Sequence, residues 1–414
     1  MADQDRVVVV GAGHGGVQVA ASLREGGFAG AVTVVGDEAA LPYQRPPLSK
    51  EHLSPGRPAQ PLPLRGAGFY ADHRIDLRTG VRATAVDLPR RTVVLDDGDE
   101  LSYTALVLAT GAANRTLALP GSGLAGVHDL RTLADAEALR ADLGQARSAA
   151  VVGAGFIGLE FAAAARAHGI PVTVLEAADR PMARALTPVM SDCLAAAHRE
   201  MGSDLRLGEG LAELLGRDGR VTGVRTGAGA EHAADVVLVG VGVRPRDDLA
   251  RAAGLLVHDG VVVDSRLRTS DPHVYAVGDC ASFPGRSPGT RVRLESVQNA
   301  TDQARHVAAG ILGSAGDYTE VPWFWSNQGP LRLQIAGLAR PGDTTVVCGD
   351  VPGRRFSVLA FRDGVLVAVE SLNRPADHVA ARRVLAAEVT PTPQQAADPA
   401  FTLKGFAGQT ASAA

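Results

Sequence analysis

The chain has 414 residues, is 46% hydrophobic and 21% charged, and carries a net charge of −4. At about 150 residues per domain this allows two or three domains with large cores, and the slightly acidic balance argues against a general nucleic-acid binder. Three cysteines, Cys193, Cys280 and Cys348, stand far apart with no C-x-x-C pair, which suits a reducing compartment and no metal site. The opening "MADQDRVVVVGAG" has acidic residues and no apolar core of a signal peptide, and no apolar run is long enough for a membrane helix. A cytoplasmic protein, monomeric or weakly dimeric, is expected.

The first predicted strand, Val7 to Val10, runs into Gly11-x-Gly13-x-x-Gly16, then an amphipathic helix, then the apolar strand "AVTVVG" ending at Asp37. That strand–turn–helix–strand context gives the glycine pattern its meaning. Gly11 permits the tight turn, Gly13 lets a pyrophosphate approach the backbone, and Gly16 lets helix and strand pack closely. The helix N-terminus offers free N–H groups to phosphate, and Asp37 is placed to accept hydrogen bonds from a ribose. His14 reads as a turn residue. The next stretch, "GDEAALPYQRPPLSKEHL" (Gly36–Leu53), holds three prolines and Lys50 but no cysteine.

"YTALVLATGAANR" reads as a buried strand ending in Ala109-Thr110-Gly111. The first unit then recurs as "SAAVVGAGFIGLEFAAAARAHGIPVTVLEAADR": an apolar strand, Gly153-x-Gly155-x-x-Gly158, a helix, and a strand ending at Glu176. Two complete fingerprints predict two bound dinucleotides. Glu176 can hold both adenosine ribose hydroxyls and would repel a 2′-phosphate, which predicts NADH over NADPH. "TSDPHVYAVGDCA" delivers Gly278 and Asp279 to a turn. "ESVQNATDQARHVAAG" reads as a helix starting near Ser296–Val297 and ending by Gly310. From about Asp317 the period changes to two, in "LRLQIAG", "RFSVLAF" and "VLVAVESL", which predicts an antiparallel sheet with a helix near Ala376–Ala387. The last ten residues, "GFAGQTASAA", are expected to be frayed.

In this order, the two fingerprints with the ATG and GDC stretches resemble the glutathione-reductase-like two-dinucleotide flavoproteins. Three further stretches, "PYQRPPLSK" (Pro42–Lys50), "VRLESVQNATDQARHVA" (Val292–Ala308) and "PWFWSNQ" (Pro322–Gln328), resemble the NADH-dependent ferredoxin reductases. The family usually has Asp where this chain has Asn327, and "GPLRLQ" replaces a more polar stretch. The resemblance covers nearly the whole chain. It implies an α/β fold: two Rossmann-like dinucleotide-binding domains and a C-terminal α+β domain with an antiparallel sheet. Residues 1–111 and 245–316 would bind FAD, 112–244 would bind NAD, and 317–414 would form the C-terminal domain.

The resemblance also implies site residues. For FAD these are Gly11, Gly13, His14, Gly16, Asp37, Lys50, Ala83, Ala109, Thr110, Gly111, Arg131, Gly278, Asp279, Val297 and Trp325. For NAD they are Gly153, Gly155, Ile157, Gly158, Glu160, Glu176, Arg184 and Gly242. Lys50 would lie beside the isoalloxazine ring and pair with Glu160, a charge couple named as the catalytic pair, bridging the two domains. Asp279 would bond the ribityl chain, and the helix beginning at Val297 would present free N–H groups to the pyrimidine edge. Arg65 and Arg305 match basic residues of a ferredoxin-docking face. The implied function is hydride transfer from NADH to FAD and single-electron transfer to a [2Fe–2S] ferredoxin serving a bacterial monooxygenase or dioxygenase. Without a dithiol, the flavin must pass electrons out directly. Alternatives are a rubredoxin reductase, an NADH oxidase-like flavoprotein, and an apoptosis-inducing-factor-like redox-dependent binding protein.

Overall fold

The computed structural model describes residues 5–56, 60–286 and 289–411. The chain divides into two compact units. The first comprises the chain up to Gln44 with Pro61–Ala113 and Val243–Glu320; the second comprises Arg45–Gln60, Asn114–Gly242 and the chain from Val321.

The first unit is built on a five-stranded parallel sheet in the order Val274–Ala276, Ala105–Leu108, Arg6–Val10, Ala31–Gly36, Ile75–Thr79. Its central strands are runs of valine and leucine buried on both faces, so they show no alternation. Helix His14–Glu25 follows the first strand, and helix Val297–Ile311 packs against it. Ser296 caps that second helix, its hydroxyl accepting from Asn299 N at 3.0 Å. A three-stranded antiparallel sheet, Ala83–Asp87, Thr92–Leu95 and Glu100–Ser102, completes this unit's excursion between parallel strands.

In the second unit the motif recurs with the order Ser203–Leu207, Val172–Glu176, Ala149–Val152, Val236–Val239, Val127–His128, all parallel. Helix Phe156–Ala167 follows the glycine turn and is rich in alanine, which lets it sit close to the sheet. The same unit holds a five-stranded antiparallel sheet in the order Trp323–Gln328, Leu331–Gly337, Val365–Leu372, Arg355–Arg362, Thr344–Asp350, covered by helix Pro375–Ala386. Gly329-Pro330 forms the first hairpin's two-residue loop between the paired Gln328 and Leu331. Gly329 has φ +58°, which suits the first corner of a type II′ turn, with proline at the second.

The fold is thus α/β with two dinucleotide-binding motifs and a C-terminal antiparallel sheet, as the sequence predicts. The expected frayed end is corrected: Leu403–Ala411 is a helix, with Leu403 buried among Val384, Leu385 and Ala396; the remaining residues of that stretch lie outside the described ones. Burial of apolar surface outweighs the terminal fraying that composition alone suggests. No helix among the described residues is long and apolar enough to cross a membrane.

Candidate functional site

Parallel pairing brings the C-terminal ends of the first unit's strands to one edge, since Val10 lies opposite both Val35 and Leu108, and Ala276 opposite Leu108. Gly11–Gly16, Asp37, Ala109–Gly111 and Gly278–Asp279 all follow those ends directly. This is where an open α/β sheet binds its ligand. The three glycines divide the work. Gly11 has φ +114°, and a Cβ on it would lie 2.1 Å from the Ala109 carbonyl oxygen. A Cβ on Gly16 would lie 1.8 Å from the Gly11 oxygen. A Cβ on Gly13 meets no protein atom within 4 Å. Gly11 and Gly16 are therefore required by the turn itself, whereas Gly13 leaves open space in front of the helix N-terminus, a cradle that fits a pyrophosphate.

The remaining residues of this edge are held from within the unit. Thr110 Oγ1 donates to the Arg246 carbonyl at 2.6 Å, and Arg246 N donates to the Gly111 carbonyl at 2.9 Å. Arg246 in turn reaches Asp37 at 3.2 Å, with Arg82 at 3.6 Å from the same oxygen. Gly278, at φ +75°, donates its N–H to Gln303 Oε1 at 2.8 Å, tying the Asp279 turn to the helix that begins at Val297. Val297 is half-buried at that helix's first position, His14 begins the other helix, and Ala83 begins its antiparallel strand a few residues beyond the sheet edge.

The second unit repeats the device. Gly153 has φ +100° and a Cβ there would lie 2.5 Å from the Gly240 oxygen; on Gly158 it would lie 2.2 Å from the Gly153 oxygen; on Gly155 it would meet nothing within 4 Å. The Glu176 carboxylate accepts from Ala154 N at 2.7 Å and Ala178 N at 2.8 Å, so it is fixed at the end of its strand beside the glycine turn. Ile157 is a 41% exposed aliphatic residue in the first helical turn, next to the open cradle. Arg184 approaches Gly242, 3.5 Å from the position of a Cβ there. Both cradles fit a dinucleotide by the same test.

Lys50 and Glu160 form an ion pair 2.6 Å long, their side chains 13% and 2% exposed. Both belong to the second unit, because Arg45–Gln60 groups with it and not with the chain on either side. The pair is therefore internal to that compact unit. The prolines act locally: Pro46–Ser49 forms a short 3₁₀ turn, Lys50 Nζ donates to the Pro46 carbonyl at 3.1 Å, and Ser49 Oγ donates to Glu160 Oε2 at 2.5 Å. Arg131 and Trp325 also belong to this unit. The Arg131 carbonyl accepts from Arg45 at 2.6 Å, and Trp325 is half-buried beside Trp323, ring centres 5.6 Å apart.

Sequence reasoning missed three buried residues around Glu160. Ser326 Oγ donates to Glu160 Oε1 at 2.6 Å, Gln328 Nε2 donates to Ser326 Oγ at 3.1 Å, and His198 Nε2 meets Gln328 Oε1 at 2.9 Å. The signal available was alternation: in "WFWSNQ" the buried phase is polar at Ser326 and Gln328, while Asn327 faces outward. His198, 130 residues from Gln328, gave no signal. Arg246, far from Asp37 in sequence, was missed for the same reason. Among the described residues no group of three or more His, Cys, Asp or Glu could hold a metal ion. The three thiols are free, and burial raises the pKa of each.

Residues 5–304 match the family described as pyridine nucleotide-disulphide oxidoreductase, and residues 323–407 match the reductase C-terminal family. The chain is 49% identical to rhodocoxin reductase of Rhodococcus erythropolis over 96% of this chain and 93% of that protein. It also matches the crystal structure of the ferredoxin reductase for the CYP199A2 system from Rhodopseudomonas palustris, with TM-score 0.94 and 46% identity over 98% of this chain and 100% of that one. A second solved structure, the covalent putidaredoxin reductase–putidaredoxin complex, matches with TM-score 0.94 and 37% identity over all of both chains.

Proposed function

The chain belongs to the pyridine nucleotide-disulphide oxidoreductase family, and on that premise we propose that it is an FAD-dependent NADH:ferredoxin reductase. The observation that carries this reading is the Lys50–Glu160 pair in a stretch that holds no cysteine. Its relatives include ferredoxin reductases and a putidaredoxin reductase solved in covalent complex with putidaredoxin. When bound, FAD supplies hydride acceptance from NADH and one-electron transfer to a [2Fe–2S] ferredoxin. Such a ferredoxin would serve a monooxygenase or dioxygenase.

Each residue then has a task. Gly13 and the N–H groups of helix His14–Glu25 would hold the FAD pyrophosphate, with Gly11 and Gly16 shaping the turn. Asp37, oriented by Arg246, receives the adenosine ribose, and Ala83, Ala109, Thr110 and Gly111 line the same edge. Gly278 and Asp279 would receive the ribityl chain, and Val297 would offer its backbone N–H to the flavin. Lys50, with Glu160 as counter-ion, would lend its charge to stabilising the reduced flavin, and Arg131 and Trp325 would serve the same group. Gly153, Gly155, Ile157 and Gly158 cradle NADH, Glu176 holds its ribose, and Arg184 and Gly242 border it. The protein aligns donor and acceptor and stabilises charge; no side chain acts as a nucleophile.

On this reading 1–111 with 245–316 binds FAD, 112–244 binds NADH, and 317–414 forms the C-terminal domain. The three unpaired thiols and the NADH donor suit the cytoplasm. The test is NADH-driven cytochrome c reduction with a panel of purified [2Fe–2S] ferredoxins and a rubredoxin in parallel. Ferredoxin-dependent turnover is expected; turnover with rubredoxin alone would reassign the acceptor.

A further inference from the structure

We infer that Ser326, Gln328 and His198 are positioning residues that hold the Glu160 carboxylate toward Lys50, an inference that rests on the reading of Lys50 and Glu160 as the flavin-side pair. Every link lies within the second unit. Glu160, Ser326, Gln328 and His198 are at most 3% exposed, so hydrogen bonds among them stand in for water; of their side-chain polar atoms only His198 Nδ1 has no partner.

The direction of the chain follows from donor counting. Lys50 Nζ and Ser49 Oγ already donate to Glu160 Oε2. Oε1 is left to Ser326, whose single hydroxyl proton is spent there. Ser326 Oγ must therefore accept, and it takes the Gln328 amide N–H at 3.1 Å. That fixes the amide, so Gln328 Oε1 accepts in turn, and His198 must carry its proton on Nε2 to donate at 2.9 Å. Burial lowers the His198 pKa, which favours the neutral ring this arrangement needs. All donors then point one way, from His198 through Gln328 and Ser326 to Glu160. A carboxylate at the end of such a chain is a pure acceptor, and aligned dipoles reinforce one another in a dry interior. Glu160 has no remaining freedom to turn from Lys50, so the network sets where the Lys50 charge sits.

Strand geometry supplies these residues. Period-two alternation puts Phe324, Ser326 and Gln328 on one face, and the Phe324 ring packs tilted against Phe156 of the Glu160 helix with ring centres 4.5 Å apart.

The experiment measures NADH-driven flavin reduction by stopped flow, together with the flavin midpoint potential, on FAD-replete Ser326→Ala, Ser326→Thr, Gln328→Met and Glu160→Gln proteins and the Ser326→Ala/Glu160→Gln double variant. Ser326→Ala strips one carboxylate oxygen of its donor and is expected to slow reduction about tenfold, the size of one charged hydrogen bond lost in the interior. It should also shift the potential. Ser326→Thr keeps the hydroxyl and restores both. Gln328→Met shifts both in the same direction, less far, and serves if Ser326→Ala does not fold. Adding Ser326→Ala to Glu160→Gln should change nothing more. If Glu160→Gln is slowed while Ser326→Ala and Gln328→Met keep the parent rate and potential, the positioning role is overturned. Full additivity in the double variant also overturns it. If Glu160→Gln itself keeps the parent rate and potential, the reading of the pair falls, and this inference with it.

Discussion

Lys50 and Glu160 could each have been surface charges; their side chains are 13% and 2% exposed. Two charges so far from water are tolerable only together, and removing one leaves the other uncompensated. Lys50→Met and Glu160→Gln should each slow flavin reduction by NADH by about tenfold or more. The double variant should be less impaired than the product of the two, because the second change removes a charge already unpaired. Stopped-flow flavin bleaching checks this; parent rates in both single variants would reduce Lys50 to a loop lysine. Glu176 makes a second claim at this scale. Its carboxylate is already fixed by two backbone N–H groups, so a 2′-phosphate would meet a charge that cannot swing away. kcat/KM for NADH should exceed that for NADPH, and the reverse order would refute the assignment.

At the scale of the element, the two strand–turn–helix units carry identical steric logic, and their glycines are not equivalent. Gly13→Ala adds a methyl into open space at a helix N-cap, so the apoprotein should lose no more than about 1 kcal/mol, while FAD binding weakens because the methyl occupies the phosphate cradle. Gly16→Ala drives a Cβ to 1.8 Å from the Gly11 carbonyl and should cost the apoprotein about 3 kcal/mol. Thermal melts of both apoproteins with FAD titrations separate the cases. Equal loss of stability in the two would show that the cradle is not open.

At the scale of the whole molecule, two buried groups, one on the C-terminal sheet and one on the helix that covers it, set opposing pH slopes. Glu370, which accepts from Thr187 N and Oγ1 at 2.8 and 2.6 Å, is pushed up to about 7 by burial. Between about 4.5 and 7 the folded chain keeps a proton the unfolded chain has lost, so this contribution is present at low pH and fades as pH rises. His378, beside Trp323, is pushed down to about 4 by burial and then by Arg382 and Arg332. Between about 4 and 6.5 the unfolded chain holds the extra proton, so this contribution is full above 6.5 and fades as pH falls. In the parent the two offset each other. Glu370→Gln should leave thermal unfolding more acid-sensitive, and His378→Phe should leave Tm falling as pH rises from 4.5 to 7. Melting curves parallel to the parent's would refute this. Electron flow is the other property of the whole molecule. Cys280 is fully buried, its thiol held by the Leu108 and Val277 carbonyls, and no cysteine is paired. An FAD-replete variant with all three replaced by alanine should keep NADH-to-ferredoxin transfer; loss of that transfer would require a thiol relay.

What the sequence determined by itself is whatever local rules specify. Glycines at fixed offsets after an apolar strand have one steric use, so both dinucleotide turns were legible at Gly11–Gly16 and Gly153–Gly158, as was the change of period that marks the C-terminal sheet. The Lys50–Glu160 partnership came from resemblance, not from spacing. Tertiary structure alone decided the rest. Ser326 and Gln328 from one strand and His198 from a distant helix converge on Glu160, Arg246 meets Asp37 from the far side of an intervening domain's worth of sequence, and the last helix is held by side chains it never neighbours along the chain. Alternation marks Ser326 and Gln328 as buried, but nothing local names their partners, because a hydrogen bond requires only that two atoms meet, whatever the sequence separation between them.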